Sequence, residues 1–352
     1  MDALKYIWEG AIPLQIHLHE SEVTTVPPPP PAMVLAPRIG YLPLLASQIK
    51  PYFGSTLPPG VDTIWFEYQG LPLKWNIPTG VLFDLLCAEP ERPWNLTVHF
   101  RGYPRQLLIP CEGEDSIKWS FINSLKEADY IINGNTKNVM SMSEPDLLEL
   151  WRSVSNVDLE AYLRISSKLK LGGTGHEHVL KSISTASLPA KSTGEMDIAQ
   201  LITGRIPVRL YVRNLGDDFD HLEDAPPVNN WDDVSYINRP VEIREEGKCF
   251  TLHDAVRSLL PELFAEKGTT KEESTNVPSE GQSDSTEQLD CTKTEEGGSN
   301  FSEEYFQSYH PSIKLVRIQG IEPKGQIPFS WVVNNLMNPE YFLHICVFVS
   351  VQ

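Results

Sequence analysis

The chain repeats itself. Gly10-Ala11-Ile12-Pro13-Leu14-Gln15-Ile16 returns 194 positions later as Gly204-Arg205-Ile206-Pro207-Val208-Arg209-Leu210. Gln69-Gly70 followed by Ile77-Pro78 returns 250 positions later as Gln319-Gly320 followed by Ile327-Pro328. Internal similarity of this kind means one structural unit folded twice. Between the anchors each copy carries a helical apolar pattern, Leu42, Leu45, Ile49 and Tyr52 in the first and Leu252, Val256, Leu259 and Leu263 in the second. Aligning Leu42 with Leu252 gives an intermediate offset of 210, so the second copy has grown in two places. Those places are the acidic segments 214–234, with 7 acids and no base, and 265–304, with 11 acids and 3 bases. They account for most of the net charge of −18 and leave the remainder nearly neutral. Lys and Arg are nowhere concentrated, which argues against a nucleic-acid partner held through phosphates. Residues 265–304 are poor in aromatics and rich in Ser, Thr, Glu and Gly, the composition of a disordered insertion.

The order of elements follows from the first copy. Ile12 to Glu20 alternates apolar and polar residues as a half-buried strand does. Pro27 to Pro31 then forces an extended connection to a strand at Met33–Leu35. A helix over Leu42–Phe53 follows, with Pro43 tolerable in its first turn. Thr63–Tyr68 and Leu71–Trp75 form a hairpin around Gln69-Gly70, Pro78–Leu86 a short helix with Val81, Leu82, Leu85 and Leu86 inward, and Asn95–Phe100 the last strand. Strand, strand, helix, strand, strand, short helix, strand is the order of the ubiquitin-like β-grasp fold. In the second copy Ile206–Val212, Val241–Arg244, Leu252–Phe264, Lys314–Gln319, Phe329–Met337 and Phe342–Val349 match, with the fourth strand unresolved by pattern.

A helical segment separates the copies. Ile117, Phe121, Leu125, Ala128 and Ile132 form one stripe across Asp115–Ile132. Ser143 before Glu144-Pro145-Asp146 is a helix start, and Leu147, Leu150, Trp151 and Val154 continue it. The predicted architecture is α+β: a short N-terminal helix (1–9), a ubiquitin-like domain (10–104), a helix-rich domain (105–171), a linker (172–200) and a second ubiquitin-like domain (201–352). The N-terminal helix has an apolar side, Leu4, Ile7 and Trp8, that needs a surface to rest on.

Enzyme signatures are missing. No GxxxxGK[ST] or GxSxG motif occurs, and Gly172-Gly173-Thr174-Gly175 lacks the lysine of a phosphate loop. His17-x-His19 and His176-x-His178 have zinc-compatible spacing but no further ligands beside them, so no metal site and no cofactor is expected. Cys87 and Cys346 lie in apolar runs typical of core thiols, and five cysteines without a CxxC pair suit a reducing compartment. The N-terminus lacks the apolar core of a signal peptide, and the most apolar stretch, Phe342–Val351, is too short to span a bilayer. A cytoplasmic protein is expected. The final residues, Phe348-Val349-Ser350-Val351-Gln352, hold no glycine tail, so the chain is expected to receive a ubiquitin-like modifier or to act as a scaffold rather than to be donated.

Ile64-Trp65-Phe66-Glu67-Tyr68-Gln69-Gly70-Leu71-Pro72-Leu73-Lys74-Trp75, Gly80–Leu86, Pro93–Phe100, Leu125-Lys126-Glu127-Ala128-Asp129 and Phe342-Leu343-His344-Ile345 resemble the autophagy protein 5 family. The resemblance runs along the whole chain outside the two acidic segments. It implies two ubiquitin-like domains flanking a helical one, and a lysine, here Lys126, joined through an isopeptide bond to the C-terminal glycine of autophagy protein 12. It further implies a non-catalytic, ligase-like scaffold. The conjugate promotes transfer of autophagy protein 8 from its conjugating enzyme to phosphatidylethanolamine on the pre-autophagosomal membrane, which the chain touches peripherally at most. A helix of autophagy protein 16 would lie in a groove between the ubiquitin-like and helical domains, with Trp8, Arg38 and Tyr41 as candidate contacts. On a helix advancing about 100° per residue, Lys126 points roughly 140° from the apolar stripe, towards water. Neighbouring Glu127 and Asp129 would stabilise its ammonium, so deprotonation would fall to the conjugating enzyme. The competing readings are a non-covalent adaptor, with Pro27–Pro31 as a ligand for a partner, and a metal-dependent enzyme built on the histidine pairs.

Overall fold

The computed structural model describes residues 2–60, 63–169, 171, 204–216, 225–243, 250–264, 310 and 312–350. Helix α1 (Asp2–Trp8) leads into β1 (Ala11–Leu18), whose alternating burial matches its sequence pattern. The largely exposed run Pro27–Pro31 returns the chain to β2 (Ala32–Pro37). A 3₁₀ turn at Leu42–Leu45, with Pro43 inside it, opens α2 (Ala46–Phe53). Then come β3 (Trp65–Tyr68), β4 (Leu71–Pro72), α3 (Thr79–Leu86) and β5 (Trp94–His99). The sheet order is β2-β1-β5-β3-β4, with β1 parallel to β5 and the other pairs antiparallel. This is the expected β-grasp.

The middle of the chain is helical: α4 (Glu114–Asn133), α5 (Lys137–Met140), α6 (Glu144–Ser155) and α7 (Leu159–Ser166). Helix α4 ends at Gly134, whose φ of 70° is the left-handed cap that glycine supplies at least cost. The Ser143 side chain accepts a hydrogen bond from the Asp146 N–H at 3.3 Å, so the start of α6 is where the sequence put it.

The second copy contains β6 (Gly204–Ile206), β7 (Val208–Asn214), β8 (Val234–Asn238), β9 (Val241–Ile243), α8 (Leu252–Leu259), α9 (Pro261–Phe264), β10 (Ile313–Arg317), α10 (Phe329–Leu336) and β11 (Leu343–Val349). Its main sheet runs β10-β11-β7-β8, with β7 parallel to β11, and β6 pairs separately with β9. Three expectations need correction. The strand read as Ile206–Val212 divides at Pro207, which has no N–H for a ladder. The neighbour of β7 is β8, whose first residue falls in the acidic segment 214–234 and whose remainder matches no predicted element, while Val241–Ile243, read as the second strand, pairs with β6 instead. The helix read as Leu252–Phe264 breaks before Pro261 for the same reason as the strand.

The repeated dipeptides do the same work in both copies. Gln69 and Gly70 have φ of 50° and 86°, and Gln319 and Gly320 have φ of 52° and 76°, the left-handed pair that a tight type I′ hairpin turn needs. In the second copy the turn closes a single bridge, Ile318 to Ile321, so the fourth strand shrinks to one residue on each side.

Helix α3 is buried along all eight residues, and β11 along all seven. Each has a partner on both sides. Leu343, Ile345, Val347 and Val349 of β11 join the core of the second domain, whereas Cys346 and Phe348 join the core that contains α3. Leu343–Val349 of the apolar run near the end of the sequence is therefore a strand sandwiched between two domains. Helix α1 completes the assembly: Leu4 and Trp8 enter the helical core and Ile7 the second ubiquitin-like core. The linker 172–200, with Gly172–Gly175, His176 and His178, and the insertion 265–304 lie outside the described residues.

Candidate functional site

Helix α4 buries Ile117, Phe121, Ile122, Leu125 and Ala128 and turns the opposite face outward. On that outer face Lys126 stands between Trp119, 53% exposed, and Tyr130, 61% exposed. Seven residues before and four after, they share its helix face. Lys126 itself is partly covered, and among the described residues its amine is held in no hydrogen bond or ion pair.

The two acids beside it are committed elsewhere, which corrects the expectation that they hold its ammonium. Asp129 is fully buried. One of its oxygens accepts from Asn133 Nδ2 at 2.9 Å and Asn138 Nδ2 at 3.3 Å, the other from the Val139 N–H at 3.1 Å. Glu127 faces the second ubiquitin-like domain. Its Oε2 accepts from Arg209 Nη2 at 2.8 Å and its Oε1 from Asn238 Nδ2 at 2.6 Å. Arg209 also reaches Ser124 Oγ at 3.2 Å, and its guanidinium carbon lies 3.8 Å from the centre of the Phe342 ring.

Beside this face runs a groove of about 930 Å³, walled by all three domains. Lys74 and Trp75 come from the first ubiquitin-like domain, Trp119 and Glu127 from α4, and Arg209 and Tyr236 from the second. Trp231 ties the walls together: its indole N–H donates to Pro72 O at 2.8 Å, and the Lys74 amine lies 4.5 Å from its ring centre. Burial lowers the pKa of that amine. Arg209, Asn238, Trp231 and Tyr236 were not singled out from the sequence. Two aromatics, Trp231 and Tyr236, at and just beyond the edge of an otherwise acidic segment were the available signal.

The other candidates have internal roles. Trp8 is buried against Tyr162 with ring centres 4.6 Å apart, and Tyr41 is buried facing Trp151. Arg38 is buried in an ion pair with Asp84. The pair sits inside the joint between the ubiquitin-like domains, because the same carboxylate accepts the Gly320 N–H at 2.7 Å. All three side chains are thus spent on contacts within the chain. His17 is exposed and bonds Gln15, while His19 stacks on His99 with centres 4.4 Å apart. Among the described residues no cluster of His, Cys, Asp and Glu could hold a metal ion. Burial pushes the Cys87 thiol up to about 12 and raises that of Cys346, the opposite of an activated nucleophile. No described helix is long and apolar enough to cross a membrane.

Three family models match the chain: autophagy protein ATG5, UblA domain, over residues 7–100; the alpha-helical bundle region over 114–172; and the UblB domain over 205–347. The chain is 60% identical over 351 residues to autophagy protein 5 of Arabidopsis thaliana, covering 99% of this chain and 98% of that one. It is 52% identical over 360 residues to autophagy protein 5 of Oryza sativa subsp. indica, covering 100% and 94%. Among solved structures, Kluyveromyces marxianus Atg5 superposes with a TM-score of 0.60 over 98% of this chain and 99% of that one, at 18% identity, a likeness of fold.

Proposed function

The chain belongs to the autophagy protein 5 family, and we propose that it serves autophagy as the acceptor of autophagy protein 12, joined through the amine of Lys126. The observation that carries this reading is the partly exposed Lys126 on α4, whose amine has no partner among the described residues and which shares its helix face with two exposed aromatic rings beside a groove. Attack on a thioester needs a free amine that can be approached from solvent. The Lys126 nitrogen forms a bond to the modifier's terminal carbonyl carbon as the carbon–sulfur bond breaks. The thiolate of the conjugating enzyme leaves with the electron pair, and the amine's proton passes to a base of that enzyme or to water. Glu127 and Asp129, the acids nearest in sequence, are both engaged, so neither acts as the base at this amine, and the chain's part is the nucleophile. It is a non-catalytic acceptor.

The conjugate then acts as a ligase-like scaffold, presenting the conjugating enzyme of autophagy protein 8 to phosphatidylethanolamine. It works from the cytoplasm at the pre-autophagosomal membrane. The groove walled by α4 and both ubiquitin-like domains suits the helix of autophagy protein 16, with Trp119 and Tyr236 as apolar contacts in place of Trp8, Arg38 and Tyr41. Intact-mass measurement after reconstitution tests the acceptor assignment. Wild-type chain is expected to gain one modifier mass and Lys126→Arg none, with unchanged circular dichroism; an adduct on the variant would overturn the assignment. For the groove, Tyr236→Glu is expected to weaken binding of the partner helix at least tenfold by calorimetry, by placing a charge against an apolar face.

A further inference from the structure

We propose that Arg209 is a positioning residue for the Lys126 amine, acting from the second ubiquitin-like domain through Glu127. The inference rests on the acceptor reading above and extends it to how the amine is displayed. Both carboxylate oxygens of Glu127 are taken by one domain, Oε2 by Arg209 and Oε1 by Asn238, on the neighbouring strands β7 and β8. Arg209 also grips Ser124, so the turn of α4 that carries Lys126 is fastened to the second sheet at two points. The arginine is itself fixed from behind, with its guanidinium over the ring of Phe342 and Tyr211 and Tyr236 beside it along the groove.

The geometry has two effects on the amine. It fixes the rotation of α4 about its own axis, because adjacent residues on a helix are separated by about 100° and holding Glu127 against the sheet turns Lys126 off it. It also keeps the carboxylate next in sequence, Glu127, from swinging across to the ammonium and stabilising the protonated, unreactive form. The other nearby acid, Asp129, is held by the start of α5. The amine that loses its proton and forms the new carbon–nitrogen bond is therefore displayed alone on a rigid turn. The second ubiquitin-like domain, which contributes no reacting atom, governs the chemistry of a lysine in the helical domain.

The test is single-turnover discharge of a thioester-charged conjugating enzyme onto the full-length chain, at increasing chain concentration. Arg209→Met is expected to lower the maximum discharge rate about tenfold with the half-saturating concentration unchanged. Arg209→Lys should recover part of the rate, since a lysine reaches the carboxylate without the planar fork. A swap separates this from a loss of fold. Asn238→Asp, which sets two carboxylates against each other, should slow discharge, and adding Glu127→Gln should restore it, because the introduced amide donates to the introduced carboxylate and its oxygen still accepts from Arg209. A maximum rate unchanged in Arg209→Met would overturn the proposal, as would slowing that the swap leaves uncorrected or that parallels lost helical circular dichroism. An adduct surviving Lys126→Arg would instead overturn the acceptor reading.

Discussion

His99 sits between two rings, with Trp65 stacked at 3.7 Å and His19 at 4.4 Å, and its Nε2 lies 3.2 Å from Glu67. Burial, with a smaller contribution from His19, lowers its pKa to about 4, and burial likewise lowers that of His344. An unfolded histidine titrates near about 6.5. Between pH 6.5 and 4 the unfolded chain therefore binds protons that the native state refuses. The stability from the neutral His99 ring is complete above about pH 6.5 and is lost as the pH falls towards about 4, and His344 acts in the same direction. Thermal denaturation between pH 7 and 5 is expected to show a falling midpoint, with a shallower slope in His99→Gln. At this same scale Lys126 shows how far a sequence reaches. Helical spacing is enough to turn it from the apolar stripe. The partners of Glu127 lie about 80 and 110 residues away, so the disposition of that carboxylate was beyond any local pattern.

Helix α3 is the element on which the two ubiquitin-like domains close. Its sequence, Thr79-Gly80-Val81-Leu82-Phe83-Asp84-Leu85-Leu86, is apolar nearly all round, and a helix of that kind must be covered all round. Asp84 is the exception and is matched by Arg38 and the Gly320 N–H. The carbonyls around its C-terminal end are bound by two arginines of the second domain. Arg317 Nη1 donates to Asp84 O at 3.2 Å and Cys87 O at 2.8 Å, and its Nη2 to Ala88 O at 2.9 Å. Arg213 Nη1 donates to Leu85 O and Leu86 O at 3.1 and 2.9 Å. Cationic donors at a helix C-terminus satisfy free carbonyls and complement the dipole. Arg317→Met strands several buried carbonyls and is expected to cost about 3 kcal/mol in urea denaturation, with an unchanged m-value. The strand, helix and turn signals were largely legible here because they are local: alternation in β1, a cap at Ser143, left-handed Gln-Gly pairs. The misread elements were those whose pairing is distant. Val234–Asn238 became a strand because β7 offered it an edge, whereas the residues around it suggested an acidic loop.

Across the whole molecule the apolar clusters ignore the domain boundaries. The core of the first ubiquitin-like domain takes in Tyr211, Leu315 and Phe348 from the second, and the helical core takes in Trp8, Tyr41, Trp75 and Phe342 from three other parts of the chain. Domains that share their interiors should unfold together. Tryptophan fluorescence and far-UV circular dichroism are expected to give coincident transitions. Trp8→Ala, which empties a site against Tyr162, should lower stability by about 4 kcal/mol and reduce hydrogen-exchange protection in all three domains at once. The sequence by itself determined the repeated α+β unit, the helical insert and the face of α4 that carries Lys126, because these follow from periodicity and from steric limits within a few residues. The tertiary structure alone decided that Trp8, Arg38 and Tyr41 are interior, that α3 and β11 are covered on both sides, and that Glu127 answers to Arg209. Such contacts depend on which distant surfaces meet once each domain has buried what it can.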